Sequence, residues 1–415
     1  MNHRFSIFQP LGSRNFRLLL LGEVISLLGK RVHVIVLAWL ALQLTGSSLT
    51  LSFVLMTAAI PKAFFMLFGG TLSDRFSLKG LMLTSNVARA AIAAGITFLV
   101  FYDAIALWHL YLFALLFGVT DALFLPPLMS TIPRLLENNR IEAGNALVRG
   151  AMQVSILIGS IQAGFLISTI GIAVTFGIGA LFFLLGAVAL WLMAEVISSA
   201  STSDDVVSRP ANSFTLFSAL RDIRDGLGYA WRRPAIRALL LTVSVIHLSF
   251  VGPFTVGLAT LANSEFAGGA TDFGIVLSFF GGGSLLGTII SGSVVFKHRG
   301  ILLSFITASL GAGLLFIGFA QEAILASLLA GLIGIGSGLF NVISITWLQK
   351  ITAPHMIGRM MGLINSSALI LAPISFVLTG AIAEVDPSLV FIVFGIPVLL
   401  ISIYLIAIKD FRQLK

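Results

Sequence analysis

The sequence predicts an all-α membrane protein whose twelve transmembrane helices form two six-helix bundles around a central cavity. Of the 415 residues, 58% are hydrophobic and only 10% are charged, whereas soluble domains carry about 25% charged residues. Apolar runs of about 20 residues, the length that crosses the hydrocarbon core of a bilayer, recur along the whole chain. One long polar connection, near residues 197–235, divides these runs into six and six.

Each apolar run is a predicted membrane-spanning helix. The runs lie near residues 17–43, 49–72, 80–102, 107–131, 145–169, 171–195, 236–262, 272–296, 300–320, 323–348, 359–383 and 388–408. An even number of crossings puts both termini on one side of the membrane. Lys and Arg fill both tails and the connections after even-numbered helices, while the opposite connections carry only acidic charges. Because bases accumulate on the cytoplasmic side, we expect a multi-pass inner-membrane protein with both termini in the cytoplasm.

The long connection separates two predicted domains, an N-terminal bundle over residues 1–196 and a C-terminal bundle over residues 236–415. Its first part, residues 198–205, has the composition of a flexible linker. Hydrophobic residues then recur at helical spacing from Leu216 to Leu227, which predicts an amphipathic helix at the membrane surface. This helix is either a brace between the bundles or a solvated tether.

Several classes of function are excluded by what the sequence lacks. There is no Cys, and therefore no disulfide framework and no thiolate metal site. The sequence contains no phosphate-binding Gly-Lys-Ser loop, no zinc helix motif and no nucleophile elbow. The net charge of +8 fits a bias toward cytoplasmic loops better than a nucleic-acid-binding surface. We therefore expect neither an enzyme nor an ATP-driven pump, with no cofactor, no metal and no nucleic-acid partner.

A short charged stretch follows the second predicted helix. Gly70 is followed after three residues by Asp74 and Arg75, and Lys79 stands beyond the turn. This pattern resembles the cytoplasmic signature of the major facilitator superfamily, with Ser77 where that signature usually has a second Gly. Residues 39–47, 140–147 and 349–360 resemble the macrolide-efflux and enterobactin-exporter branch of bacterial members. The resemblance implies the major facilitator fold and secondary transport by alternating access.

The signature is also predicted to form one half of a cytoplasmic gate. We expect Asp74 to face the start of helix eleven, where the helix dipole and an Arg charge both favour an anion. The contact should hold the cytoplasmic side shut and break when the bundles rock apart. The predicted gate residues are Gly70, Asp74, Arg75, Lys79, Gly358 and Arg359.

Ionisable residues inside the membrane mark the predicted site, because each costs several kcal/mol if it is left unpaired in hydrocarbon. The resemblance implies that helices one, four, seven and ten line the cavity. The candidate substrate-binding residues on these helices are Lys30, Arg31, Asp121, His247, Asn341 and Trp347. Lys30 and Arg31 diverge by about 100° on a helix and cannot share a partner. Either one of them meets a negative or electron-rich group of the substrate, or both are paired structurally.

Two acids inside the membrane are candidates for proton coupling. A carboxyl group in a cavity that is alternately wet and dry changes its proton affinity with access. Glu23 and Asp121 could therefore carry protons, or either acid could instead form a static ion pair with Arg89 or Lys62. The static pair is favoured for Glu23, because Glu23 lies closer to the membrane interface. We interpret Lys62 and Arg89 as structural charges of the N-terminal bundle.

The function predicted from the sequence is secondary active transport. We expect a proton-coupled exporter, an antiporter of the multidrug-resistance type, that carries bulky amphiphilic small molecules, drug-like or siderophore-like. The excess of intramembrane bases favours a cargo with acidic or polar oxygen groups over a simple cation. The alternatives are a lipid, organic-anion or metal-ion carrier, with Glu23, His33, Asp121 and His247 as metal ligands, or a non-transporting sensor. The expected partners are the substrate, protons and membrane lipids, and the expected state is a monomer.

Overall fold

The chain folds into helices joined by short connections. The computed structural model describes residues 3–194, 216–294, 298–408 and 411, with no side chain described within 3–7, 66–75 or 216–223. The helices are α1 Arg14–Thr45, α2 Ser48–Arg75, α3 Leu78–Phe101, α4 Leu107–Leu135, α5 Ile141–Trp191, α6 Leu216–Trp231, α7 Pro234–Gly252, α8 Leu258–Ser264, α9 Ala270–Ser293, α10 Arg299–Ile317, α11 Ala323–Ile351, α12 Ile357–Ala383 and α13 Pro387–Ala407. Short 3₁₀ segments precede α1, α5 and α12.

The described helices make twelve membrane crossings, as the sequence predicts. Eleven helical stretches of the described chain are long and apolar enough to span a bilayer. One of them, Asn138–Trp191, has 54 residues. At 1.5 Å per residue it measures about 80 Å, which is more than twice the hydrocarbon thickness of about 30 Å. Gly171, with φ 82° and ψ 171°, breaks its helical path, a conformation that glycine adopts without a Cβ clash. α5 therefore supplies crossings five and six.

The seventh crossing contains an irregularity that the apolar pattern does not predict. A π-turn, Pro253–Gly257, separates α7 from α8. Pro253 has no N–H to donate. Ser375 of α12 accepts from Gly252 N at 2.7 Å and donates to Leu248 O at 2.6 Å. A hydroxyl group thus bridges two backbone groups that a regular helix joins directly, which is a recognised cause of helix distortion.

The helices pack as two groups, α1–α5 and α7–α13, that meet along two seams. In the first seam α5 packs on α9, and Gly164 and Gly274 let the backbones approach closely. Thr271 donates to Ser168 at 2.8 Å, and Ser278 donates to the carbonyl of Leu157 at 2.7 Å. Small residues and hydroxyl groups are the usual contacts between helices in a membrane. An apolar side chain gains no hydrophobic free energy there by exchanging lipid for a neighbouring helix, because both are equally apolar.

In the second seam α2 packs on α12. Gly380 lies against Ser52, and the Glu384 carboxylate accepts from Ser47 Oγ at 3.1 Å and from Leu49 N at 3.0 Å. This carboxylate therefore caps the N-terminus of α2, where the helix dipole favours an anion. We call this end of the molecule the acidic face. The other end, which carries Arg14, Arg134 and Lys350, is the basic face.

The helix expected in the long connection is present as α6. It lies against the start of α12, where Gly226 contacts Met360 and Leu363, and where Asp225 Oδ2 is 4.0 Å from Arg359 Nη1. Residues 195–215, which include the polar stretch 198–205, lie outside the described residues.

Candidate substrate and proton site

Four helices bring three bases onto one carboxylate in the middle of the N-terminal group. Asp121 lies at the midpoint of α4. Its Oδ1 is 2.7 Å from Lys30 Nζ on α1 and 2.9 Å from Arg89 Nη2 on α3. Its Oδ2 is 2.9 Å from Lys62 Nζ on α2. We call Asp121, Lys30, Lys62 and Arg89 the Asp121 cluster. Both oxygens of the carboxylate are occupied by cations.

The members of the Asp121 cluster differ in their access to the interior space. The side chains of Asp121 and Arg89 are 8% and 3% exposed, whereas those of Lys30 and Lys62 keep 30% and 35%. The cluster therefore has a closed side at Arg89 and an open side at the two lysines.

Arg89 is held by its surroundings as well as by Asp121. Its guanidinium donates to Asn86 Oδ1 and to the carbonyl of Thr120, each at 3.4 Å. Its Cζ lies 4.6 Å from the centroid of the Phe124 ring. Asn86 in turn donates to Ser26 of α1 at 2.8 Å. A guanidinium presents a rigid fork of donors. These contacts therefore fix the position of the Asp121 carboxylate, which Arg89 binds together with the two lysines.

Glu23 adds a second carboxylate to the same cavity. It is 3% exposed, and its Oε2 has no hydrogen-bond partner in the described part of the chain. The cavity has a volume of about 100 Å³ and is lined by Glu23, Ser26 and the side chains of the Asp121 cluster. A buried carboxylate that is neither paired nor hydrogen-bonded is costly as an anion. Glu23 is therefore the acid of this cavity that has a free oxygen for a proton.

Arg31 lies outside the Asp121 cluster, as the divergence of about 100° between adjacent residues of a helix predicts. It lines a separate cavity of about 170 Å³ between the two helix groups. The base of its side chain sits against α5, where a Cβ added at Gly159 would lie 2.8 Å from Arg31 Cβ. The structure thus assigns different surroundings to the two adjacent bases of α1.

Three other substrate-site candidates lie away from both cavities. His247 makes a 3.2 Å hydrogen bond with Ser367 of α12, and Asn341 is exposed on α11. Trp347 is buried, and its ring centroid is 5.3 Å from that of Phe411. The indole of Trp347 thus packs against the C-terminal segment and lines neither of the two cavities, and its role in substrate binding stays a prediction.

Of the four residues suggested as metal ligands, Glu23 and Asp121 share a cavity, whereas His33 and His247 do not line it. His33 is buried and stacks on Phe117 with centroids 3.9 Å apart, and Asp121 is occupied by bases. Within the described residues, no group of three or more His, Cys, Asp or Glu side chains could hold a metal ion.

The predicted gate is described only in part. Lys79 donates to the carbonyl of Trp191 at 2.9 Å and to that of Met193, so it binds the end of α5 in its own half of the molecule. Arg359 faces Asp225 of α6. The side chains at positions 70, 74 and 75 lie outside the described residues. The contact between Asp74 and the start of the eleventh crossing, which is α12, stays a prediction.

Lys62 and Arg89, which the sequence suggests as structural charges and as possible ion-pair partners of Asp121, both contact Asp121. Both bases also line the cavity beside Asp121, which the sequence does not predict. Depth was the available signal, because Lys30, Lys62, Arg89 and Asp121 all lie well inside their spans. The cavity wall at Phe254 and Thr255 was missed because it depends on the π-turn.

Comparison with known proteins agrees with this architecture. A family model for the Major Facilitator Superfamily matches residues 19–367. The chain is 23% identical over 398 residues to the multidrug efflux pump Tap of Mycolicibacterium fortuitum, and the match covers 93% of each chain. It is 21% identical over 399 residues to macrolide efflux protein A of Streptococcus pyogenes, and the match covers 95% of each.

A solved structure shares the fold at low sequence identity. A POT family transporter in complex with a thioalcohol-conjugated peptide superposes with a TM-score of 0.74 at 14% identity, covering 96% of each chain. The family model spans most of the chain, including the helices that build the Asp121 cluster. The chain therefore belongs to the Major Facilitator Superfamily, and it is a multi-pass membrane transporter and not an enzyme, as the sequence predicts.

Proposed function

We propose that this protein is a proton-coupled exporter of bulky amphiphilic small molecules and that the cavity of the Asp121 cluster is its coupling site. The observation that carries the proposal is the convergence of Lys30, Lys62 and Arg89 on Asp121, with the free oxygen of Glu23 in the same cavity. Ionisable groups at this depth are costly and mark functional pathways in transporters.

The cluster is connected to the seams along which the halves would move. Lys62 belongs to α2, which packs on α12, and Lys30 belongs to α1, whose next residue lines the cavity between the halves. A proton that enters the cavity changes the charge balance around Asp121 and Glu23. That change alters how firmly α1 and α2 are tied to α4. Residues 1–196 and 236–415 would then rock as bundles between two openings.

The orientation of the chain indicates which side of the membrane each opening would face, and the names of the relatives favour export. The basic face carries the Lys and Arg residues that accumulate on the cytoplasmic side. We therefore place this face in the cytoplasm of a bacterial cell and the acidic face outside the inner membrane. Protons would enter from the acidic face as cargo leaves the cell.

The names of the relatives support drug-like cargo. Tap is a multidrug efflux pump, and macrolide efflux protein A is a macrolide exporter by name. They favour export of bulky drug-like compounds over the lipid, metal-ion and sensor alternatives.

Transport by purified protein in proteoliposomes tests the proposal. A radiolabelled macrolide and a panel of drug-like amphiphiles would be presented with and without an imposed pH gradient. We expect gradient-driven accumulation that is lost in Asp121→Asn and Glu23→Gln and retained in Lys350→Gln, a control at the basic end of α11. Accumulation that is indifferent to the gradient would refute proton coupling, and no transport across the panel would refute the cargo class.

A further inference from the structure

The Arg31 cavity contains a base that makes no direct contact with an acid of the described chain. Among the described residues, Arg31 has no hydrogen bond and no ion pair, whereas Lys30, Lys62 and Arg89 all contact Asp121. Its depth is similar to theirs, since it lies near the middle of α1. A cation in such surroundings is costly unless an anion or a set of polar oxygens meets it. The arrangement therefore has room for an anionic partner from outside the chain.

The walls of the cavity define what else that partner must carry. Aromatic side chains from the π-turn and from α9, namely Phe254, Phe273 and Phe280, line the cavity together with Arg31. Aliphatic side chains and the hydroxyl-bearing residues Ser160 and Thr255 complete the lining. Phe254 and Phe280 have ring centroids 4.5 Å apart. The site is thus an apolar slot with one strong cationic donor, the usual plan of a small-molecule site that fixes one polar group and buries the rest.

The size of the slot limits the group that enters it. Its volume is about 170 Å³. An apolar protein cavity of roughly 150 Å³ holds one benzene molecule. The slot therefore accepts one aromatic ring with a small polar substituent, while the remainder of a larger molecule extends out of it.

The π-turn is what makes the slot possible. The widened turn at Pro253–Gly257 contributes Phe254 and Thr255 to the cavity that Arg31 lines, and Ser375 supports the turn from α12. π-turns in membrane and soluble helices are frequent at functional sites. Residues of both halves line the slot, so its shape must change when the halves rock.

We propose that the Arg31 cavity binds the carboxylate of an amphiphilic cargo whose acid group is attached to an aromatic ring. The guanidinium would form a bidentate pair with the carboxylate, and the ring would pack against Phe254, Phe273 and Phe280. This assignment rests on the proposed transport function and narrows its substrate class to drug-like aromatic acids.

Binding of a matched acid and amide tests the assignment without any transport step. The probes are 4-octylbenzoic acid and 4-octylbenzamide, titrated by calorimetry into protein in nanodiscs at neutral pH, with empty nanodiscs subtracted. Hydrogen bonds to charged groups contribute about 1.5–3 kcal/mol, which corresponds to roughly 10- to 150-fold in affinity. We expect the acid to bind tighter than the amide by a factor in this range.

Three variants test whether Arg31 causes the preference for the acid over the amide. Arg31→Gln should bring the ratio of the two affinities close to one, and Arg31→Lys should retain part of it, because a lysine keeps the charge but loses the fork. Arg149→Gln removes an exposed base from α5, the helix that also lines the slot, and should leave the ratio unchanged. Thermal unfolding of each variant verifies the fold.

Specific outcomes would overturn the assignment. These are equal binding of acid and amide by the unsubstituted protein, no saturable binding of the acid, or an undiminished preference in Arg31→Gln. The readout is also independent of proton coupling. If gradient-driven transport fails while the acid preference depends on Arg31, the proposed coupling is wrong and the slot stands. If transport is driven by the gradient but the acid preference does not depend on Arg31, the coupling stands and the slot assignment is wrong.

Discussion

The two halves of the molecule use different residues where their helices contact one another. The spans of α1–α4 carry six Asp, Glu, Lys and Arg residues away from their ends, and four of these form the Asp121 cluster. In the spans from α7 to α13 the Asp, Glu, Lys and Arg residues are confined to the helix ends. There, α9 and α11 instead meet at glycines such as Gly283, Gly287, Gly334 and Gly338.

This difference implies a division of labour. Backbone contact between glycines depends on shape alone and does not respond to protons. A cluster of charges responds to any proton or ion that enters its cavity. We therefore expect the N-terminal half to sense the proton and the C-terminal half to act as a rigid body against which it moves. Substitutions in each half should separate these roles.

The largest expected effect comes from Asp121→Asn. The change leaves three bases around a neutral amide, and breaking a buried ion pair in this way costs about 3–5 kcal/mol. We expect a marked loss of thermal stability and of gradient-driven transport. Adding Lys62→Gln to Asp121→Asn lowers the excess charge and should restore part of the stability. If Asp121→Asn unfolded at the same temperature as the unsubstituted protein, the cluster would not hold the four helices together.

Arg89→Lys is expected to have the next largest effect, because it keeps the charge and removes the fork. The contacts to Asn86 and Thr120 would be lost, and hydrogen bonds to charged groups contribute about 1.5–3 kcal/mol. Denaturant unfolding in detergent measures this cost. Arg237→Lys, at the basic end of α7, provides the matched control and should change little. Equal losses in both variants would remove the distinction between buried and surface bases.

Gly287→Ala tests the packing of the C-terminal half. A Cβ at this position would lie 2.1 Å from the carbonyl oxygen of Ile335, so α9 and α11 must separate. Overpacking of this kind costs about 1–3 kcal/mol. Gly292→Ala, on the same helix and with no atom within 4 Å, should be neutral. We expect Gly287→Ala to lower stability while the pH dependence of transport is retained; a shifted pH dependence would contradict the division of labour.

The smallest expected effect is at the seam of the acidic face. Glu384→Gln weakens the cap on the N-terminus of α2, and the residue is exposed, so the change should cost less than about 1 kcal/mol. We expect a modest shift toward conformations that are open on the acidic face, measured as spin-label distances across that face. Glu322→Gln alters another exposed carboxylate of the same half and should produce no shift.

Much of the fold could be predicted from the sequence, and the site could be predicted in part. Apolar length and the distribution of Lys and Arg are sufficient for twelve crossings, and helical geometry is sufficient to separate Lys30 from Arg31. The depth of a residue follows from counting, but its direction depends on how each helix is rotated by its neighbours. That rotation decides that Lys62 and Arg89 meet Asp121 and that Trp347 is buried against Phe411.

The π-turn marks a second limit. Pro253 in an apolar run signals a distortion, but the form of that distortion depends on Ser375, more than 100 residues away, which supplies the bridging hydroxyl. The slot beside Arg31 could therefore not be drawn from the local sequence. Its cationic wall could be predicted, and its aromatic wall could not.

Proton movement coupled to cargo is the most direct test of the central claim that the N-terminal half carries the coupling. Proteoliposomes that enclose a pH-sensitive dye would receive a macrolide gradient, and the change in internal pH would be recorded. We predict a proton flux opposite to the cargo in the unsubstituted protein, its loss in Glu23→Gln with the cargo still bound, and its retention in Gly292→Ala. An unchanged proton flux in Glu23→Gln and Asp121→Asn would contradict the account.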